Sequence, residues 1–153
     1  MKTKTFRTIF CFLITLSIPI LSLCNTGVIK KVLSGDLIQV GDTFVARLTG
    51  LTTPSINNII GSEVYDFTKR ELEGKKVKFS TWTKNNTVEG IVLDDVGYPF
   101  VEILYGIDLS ISFNEILLKK GYARVDSAHL PKNLSHYFEL EKEARKKRIG
   151  IWK

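Results

Sequence analysis

The 153-residue chain has two cysteines, Cys11 and Cys24, and none after residue 24. Residues 25–153 therefore contain no disulfide, and burial of an apolar core must hold them together. A zinc pattern is also missing. The only histidines, His129 and His136, have no cysteine or acid at ligand spacing beside them, which leaves them as surface residues. Residues 85–118 contain no Lys, Arg or His, so that whole stretch offers no cation to an anionic ligand. With neither an internal repeat nor a low-complexity linker, the chain past residue 24 reads as one domain with one core.

Net charge is small once the start of the chain is set aside. The chain carries 22 basic and 16 acidic residues. Lys2, Lys4 and Arg7 all fall in an acid-free start, so the formal charge of +6 drops to +3 for the remainder. That is a mild bias towards anionic partners and excludes a dedicated DNA-packing protein. Directly after this basic start, Ile9 to Cys24 runs almost wholly apolar, the pattern of an export signal over 1–24. The run is shorter than the roughly 20 residues a membrane span needs. Two endings fit. "LSLC" at 21–24 has the character of a bacterial lipobox, which would make Cys24 a lipidated N-terminus. Ordinary cleavage, with Ser22 and Cys24 at the two selective positions, is the alternative. Either way the product is expected to be exported: secreted, periplasmic or membrane-anchored.

Beyond the signal, "GVIKKVLSG", "DLIQVGDTFVARLTG" and "KKVKFSTWTKNNTVEGIVLDD" are rich in Val, Ile, Thr and aromatics. They break at Gly35-Asp36, Gly41-Asp42, Asn85-Asn86 and Gly97, and read as strands and hairpins. "GYPFVEILYG" adds a strand with Pro99 near its start. Three segments read as helices. The first is capped by Ser62, turns Val64, Phe67 and Leu72 to one side, and ends at Gly74. The second runs from Ser112 to Lys120 and stops at Gly121. The third covers roughly Ser135 to Arg148, with Phe138 and Ala144 facing inward and Gly150 as terminator. Grouped strands with intercalated helices predict an α+β fold built on a small antiparallel sheet.

"VLSGDLIQV", "ARLTGLTTP", "GSEVYDFTKREL", "FNEILLKKGYARV" and "EKEARKKRIGIW" follow the order and approximate spacing of the thermonuclease, or staphylococcal-nuclease-like, family. The chain resembles that family from Val28 to Trp152. The resemblance implies an OB-type five-stranded antiparallel β-barrel with three helices over residues 25–153. It also implies calcium-dependent hydrolysis of DNA or RNA phosphodiesters, with two acids on the metal, two arginines on the phosphate and a glutamate aiding the attacking water. On this pattern Asp36 matches one metal acid, Arg47 the first phosphate arginine, and Thr53 a threonine whose carbonyl serves calcium.

Three further positions depart from the pattern. Thr52 stands where the second metal acid belongs, and Ser55 where the glutamate belongs. "DDVGYP" puts Pro99 at the second arginine, and a different register would put Glu89 or Gly90 there. Calcium wants 6 to 8 oxygen ligands, several of them charged, so weak Ca²⁺ binding or none is expected. Losing one arginine in comparable phosphoryl chemistry costs on the order of 10³ to 10⁵ in rate.

Replacement acids nearby are Asp42, in a predicted hairpin turn, and Glu63, whose simplest role is structural. The surviving residues also have plainer readings. Asp36 serves a strand turn by bonding nearby backbone amides, and Arg47 is an ion-pair partner of Asp36 or Glu63. The basic run at 142–148 is a solvated helix face or a contact for phosphates or an anionic membrane. Trp82, Tyr98, Phe100 and Tyr105 are core residues or stacking platforms for bases, and Trp152 covers the end of the core.

The leading expectation is an exported thermonuclease-fold protein with a degraded phosphodiesterase site and weak, salt-sensitive nucleic-acid binding. A working nuclease with altered ligands is the second. An envelope module binding a protein partner or lipid headgroups, tethered through Cys24, is the third.

Overall fold

The computed structural model describes residues 24–84 and 88–153. The expected signal falls on residues 1–24, of which all but Cys24 lie outside the described residues. Eight strands and three α-helices follow in the order β1 (Cys24–Val32), β2 (Leu37–Val40), β3 (Phe44–Leu48), β4 (Leu51–Thr52), α1 (Ile59–Leu72), β5 (Lys76–Thr81), β6 (Phe100–Tyr105), β7 (Ile111–Ser112), α2 (Phe113–Lys119), β8 (Arg124–Val125) and α3 (Tyr137–Lys147).

β1 pairs with β2 on one side and β5 on the other, β2 with β3, and β5 with β6, all antiparallel. The ring closes where β3 meets β6 in parallel, Arg47 opposite Phe100 and Leu48 opposite Val101. The result is a five-stranded barrel that is antiparallel except at this seam. A register shift between Ile29 and Lys31 marks a bulge, which bends β1 so that one strand can serve both neighbours. Alternate residues point inward, and Ile29, Ile38, Ala46, Leu48, Val77, Val101 and Ile103 are fully buried. Closure leaves the barrel with little bare edge. A separate ribbon, β4 with β8, sits beside it.

The helices fill in around this barrel and correct several expectations. Asn58, not Ser62, caps α1, its side chain accepting from the Gly61 amide at 2.7 Å, so the helix starts before Ser62. Gly61 is required there: a Cβ would stand 1.8 Å from the Ser55 carbonyl oxygen. Ser112 caps α2 as expected, accepting from the Glu115 amide. α3 starts at Tyr137, which puts Tyr137 and Ala144 inside and leaves Phe138 46% exposed. It ends on Arg148, left-handed at φ 51, before Gly150 is reached. The expected strand after Asn85-Asn86 is reduced to two isolated bridges, Thr83 with Ile91 and Leu93 with Pro99.

Asn114 on α2 is fully buried, donates to the Thr49 and Val101 carbonyls and accepts from the Ile103 amide. It fastens α2 to the barrel seam, next to the end of β3 that carries Arg47.

Candidate active site

The turn between β1 and β2 is built to hold one carboxylate. Thr68 on α1 donates to the Gly35 carbonyl at 3.0 Å. Gly35 has no room for a side chain, since a Cβ would come within 2.7 Å of both Thr53 Oγ1 and Val64 Cγ1. Asp36 follows, buried, with its Oδ1 accepting from Ser34 Oγ at 2.8 Å. Its backbone carbonyl accepts from the Leu48 amide, which aligns it with β3.

On β3, Arg47 reaches two acids. Its Nη1 donates to Asp36 Oδ2 at 3.4 Å and its Nε to Asp94 Oδ2 at 2.8 Å. The side chains of Asp36 and Asp94 are 6% and 9% exposed, that of Arg47 28%, so the pair is largely sheltered from water. Asp94 is itself the hub of a tight turn, because its Oδ1 accepts from the amides of Val96 and Tyr98. Burial alone would raise the Asp94 pKa, but the Arg47 hydrogen bond and the two amides outweigh it and hold the carboxyl below its ordinary value. Burial likewise lowers the pKa of the Arg47 guanidinium, and the two carboxylates more than reverse that.

These groups line a pocket of about 250 Å³ together with Thr52, Asp95, Asp126 and His129. Asp126 accepts from the Ala128 amide and pairs with His129 Nδ1 at 2.7 Å. The His129 ring stacks on Phe100 with centroids 4.5 Å apart. His129 is thus a pocket residue, contrary to the surface expectation, whereas His136 lies outside, bonded to Glu115. Four carboxylates face one guanidinium and one imidazole, so the pocket is net negative. Each of Asp36, Asp94 and Asp126 is already engaged by protein donors. Among the described residues no three of His, Cys, Asp and Glu are grouped to hold a metal ion.

The other positions singled out in the sequence are dispersed. Thr52 lines the pocket from β4, while Thr53 lines a neighbouring cleft. Ser55 is exposed and spent on the turn into α1, accepting from the Asn57 amide. Pro99 does not line the pocket, and its carbonyl accepts from the Arg47 amide across the seam. Glu63 accepts from Tyr122, not Arg47, and Asp42 pairs with Lys30 at an exposed turn. Asp94, Asp95, Asp126 and His129 are the pocket residues that sequence reasoning missed.

A second, larger groove of about 730 Å³ runs beyond Phe100 and His129, lined by Trp82, Lys84, Glu102, Lys132 and Asn133 among others. Trp82, which lines this groove, meets edge-on the Phe100 and His129 rings that line the first pocket.

Residues 46–153, which carry Arg47, Asp94 and the three helices, match a family model, the staphylococcal nuclease homologue. The chain belongs to this family. Arg47, Thr52, Ser55 and Asp94 fall within the matched span of this staphylococcal nuclease homologue, and Asp36 precedes it. The chain is 30% identical to the uncharacterized protein MJ1439 of Methanocaldococcus jannaschii, over 82% of this chain and 70% of that protein. It is 28% identical to Ribonuclease TUDOR 1 of Arabidopsis thaliana, over 71% of this chain but only 12% of that much longer relative.

Proposed function

We propose that this staphylococcal nuclease homologue is an exported protein that binds nucleic acid weakly and cleaves it little or not at all. The observation that carries this reading is the capture of Arg47 between Asp36 and Asp94. Phosphoryl transfer needs a cation free to meet charge developing on the transferring group. Here the one arginine at the pocket is neutralised by two carboxylates, and no basic residue exists between residues 85 and 118 to assist it. Thr52 and Ser55 supply neither charge to a metal nor a base to water. A calcium ion does not fit this donor set, because Asp36, Asp94 and Asp126 are committed to Arg47, Ser34, His129 and backbone amides, and Asp95 alone cannot supply the several charged oxygens calcium needs.

Binding falls to the larger groove, where Lys84 and Lys132 offer charge and Trp82 a stacking face. The basic start and apolar run of residues 1–24 support export, and Cys24 as a lipid attachment point would keep the domain at a membrane. The test is a fluorescent single-stranded oligonucleotide titrated with the chain at 50 and 200 mM salt. Binding that fades steeply with salt and no metal-dependent cleavage is the expected result. Salt-insensitive nanomolar binding overturns it. Intact-mass analysis of protein recovered from cells reports whether Cys24 carries a diacylglyceryl group.

A second reading has its own observation. Asp36, Asp94, Asp95 and Asp126 do converge on one pocket, with His129 hydrogen-bonded to Asp126. A hydrolase using these acids in place of the family's set would cleave DNA or RNA in a chelator-sensitive way and lose activity in Asp36→Ala, Arg47→Ala and Asp126→Ala.

A further inference from the structure

Thr52 stands between two clefts of opposite character. On one side is the acidic pocket; on the other is a cleft of about 250 Å³ lined by Thr52, Thr53, Pro54, Arg124 and Ile151. Arg124 enters it because β4 and β8 pair with Thr52 directly opposite Arg124. The position that family resemblance would give to a metal acid therefore faces a guanidinium.

Arg124 is held from behind without being neutralised. Its guanidinium carbon lies over the Trp152 ring, 4.9 Å from the centroid, and that of Arg145 lies 4.0 Å from the same ring. Arg145 is paired with Glu141 at 3.2 Å, and Glu141 also accepts from the Val125 amide, which braces β8. Among the described residues no carboxylate pairs with Arg124, in contrast to Arg47. The Trp152 platform is itself fixed: the Ile151 amide donates to the Gly121 carbonyl, and Gly150 packs so closely on that carbonyl that a Cβ would stand 2.1 Å from it.

We propose that Arg124 and Thr52 form a binding site for a phosphate-class oxyanion, separate from the acidic pocket. A guanidinium clamped on an indole face keeps its outer N–H groups in a fixed fork, which suits two oxygens of a phosphate monoester or diester. The exposed Thr52 hydroxyl across the strand pair offers a further donor. No acid lines this cleft, so the anion meets no fixed opposing charge there. The same chemistry is presented by free phosphate, a nucleic-acid backbone and an anionic lipid headgroup.

The test is an NMR titration of the ¹⁵N-labelled full chain with inorganic phosphate and diphosphate. The amides of Thr52 and Arg124 and the Trp152 indole N–H should shift saturably. Arg124→Gln should weaken binding about tenfold or more, while Lys146→Gln, an exposed change of equal charge, should leave it nearly unchanged. Thr52→Asp keeps Arg124 in place, neutralises it across the ribbon, and should abolish the response. Signals that do not move, or variants at 124 and 146 that weaken binding alike, overturn the site.

The source is read in two further arms, oligothymidylate and vesicles of phosphatidylglycerol against phosphatidylcholine. Dependence on Arg124 in either arm names the macromolecule, and dependence confined to the phosphate arm assigns a soluble phosphate. An intact phosphate response with no oligonucleotide binding defeats the nucleic-acid reading alone. Oligonucleotide binding without any phosphate response at Arg124 defeats this inference alone.

Discussion

Arg47 and Asp94, 47 residues apart in sequence, meet at the barrel seam with Nε and Oδ2 separated by 2.8 Å. The contact exists because β3 and β6 close in parallel, which puts Arg47 beside the turn that leads into Phe100. Asp94 shapes that turn with one oxygen and holds the arginine with the other, so loop geometry and site charge depend on a single carboxylate.

Asp94→Asn should cost about 1–3 kcal/mol in urea unfolding, since it weakens a sheltered charged hydrogen bond. The pH dependence follows from the direction of its shift. A carboxyl held below its ordinary value of 3.8 contributes its full stability above that value and loses it as pH falls through the lower, folded value. Stability measured against pH should therefore drop less steeply below about pH 4 in Asp94→Asn than in the parent.

Gly61→Ala should destabilise by at least about 2 kcal/mol, because the new methyl would overlap the Ser55 carbonyl, and backbone there has no flexible end to yield. The midpoint of chemical denaturation reads this directly, and an unchanged midpoint would mean that the turn into α1 is looser than described.

The buried Asn114 hub makes a complementary case. Asn114→Leu keeps the branched shape and heavy-atom count but takes partners from the Thr49 carbonyl and the Ile103 amide, at an expected cost of about 2–4 kcal/mol. Hydrogen exchange at Ile103 should accelerate in the same variant.

In the groove, the two kinds of contact should separate by salt. Lys84→Gln or Lys132→Gln should each lower the slope of log K against log salt for single-stranded DNA by about 0.7. Trp82→Ala should cost about 1–3 kcal/mol of binding and leave the slope unchanged.

The barrel was legible because β strands with an inward face alternate visibly, and because "SGD", "ARL" and the helix caps are local signals. Asp36 and Arg47 were likewise marked by their own short motifs, and so was the absence of cations from residues 85 to 118. Asp94 was not legible as the arginine's partner. "DDVGYP" announces a turn, but nothing local says which strand the turn lies against, and the parallel seam that decides it is a property of closure. His129 escaped for a similar reason: its pairing with Asp126 is local, yet its stacking on Phe100 depends on a loop folding back across the barrel. Asn58 displaced Ser62 as the α1 cap because both residue types suit the role and only the packing of Gly61 on Ser55 separates them. Phe138 was expected inside, but its neighbour Tyr137 takes the core position on α3, because successive helix positions point in different directions and only one of the two can face inward.

The most direct measurement is cleavage itself. Purified chain, freed of host nucleases, is incubated with end-labelled DNA and RNA in Ca²⁺, Mg²⁺ or Mn²⁺, with and without EDTA. Product should accumulate no faster than in protein-free buffer under every condition. Cleavage that requires the metal, stops on EDTA and disappears in Arg47→Ala would contradict the claim that this arginine is locked away from chemistry.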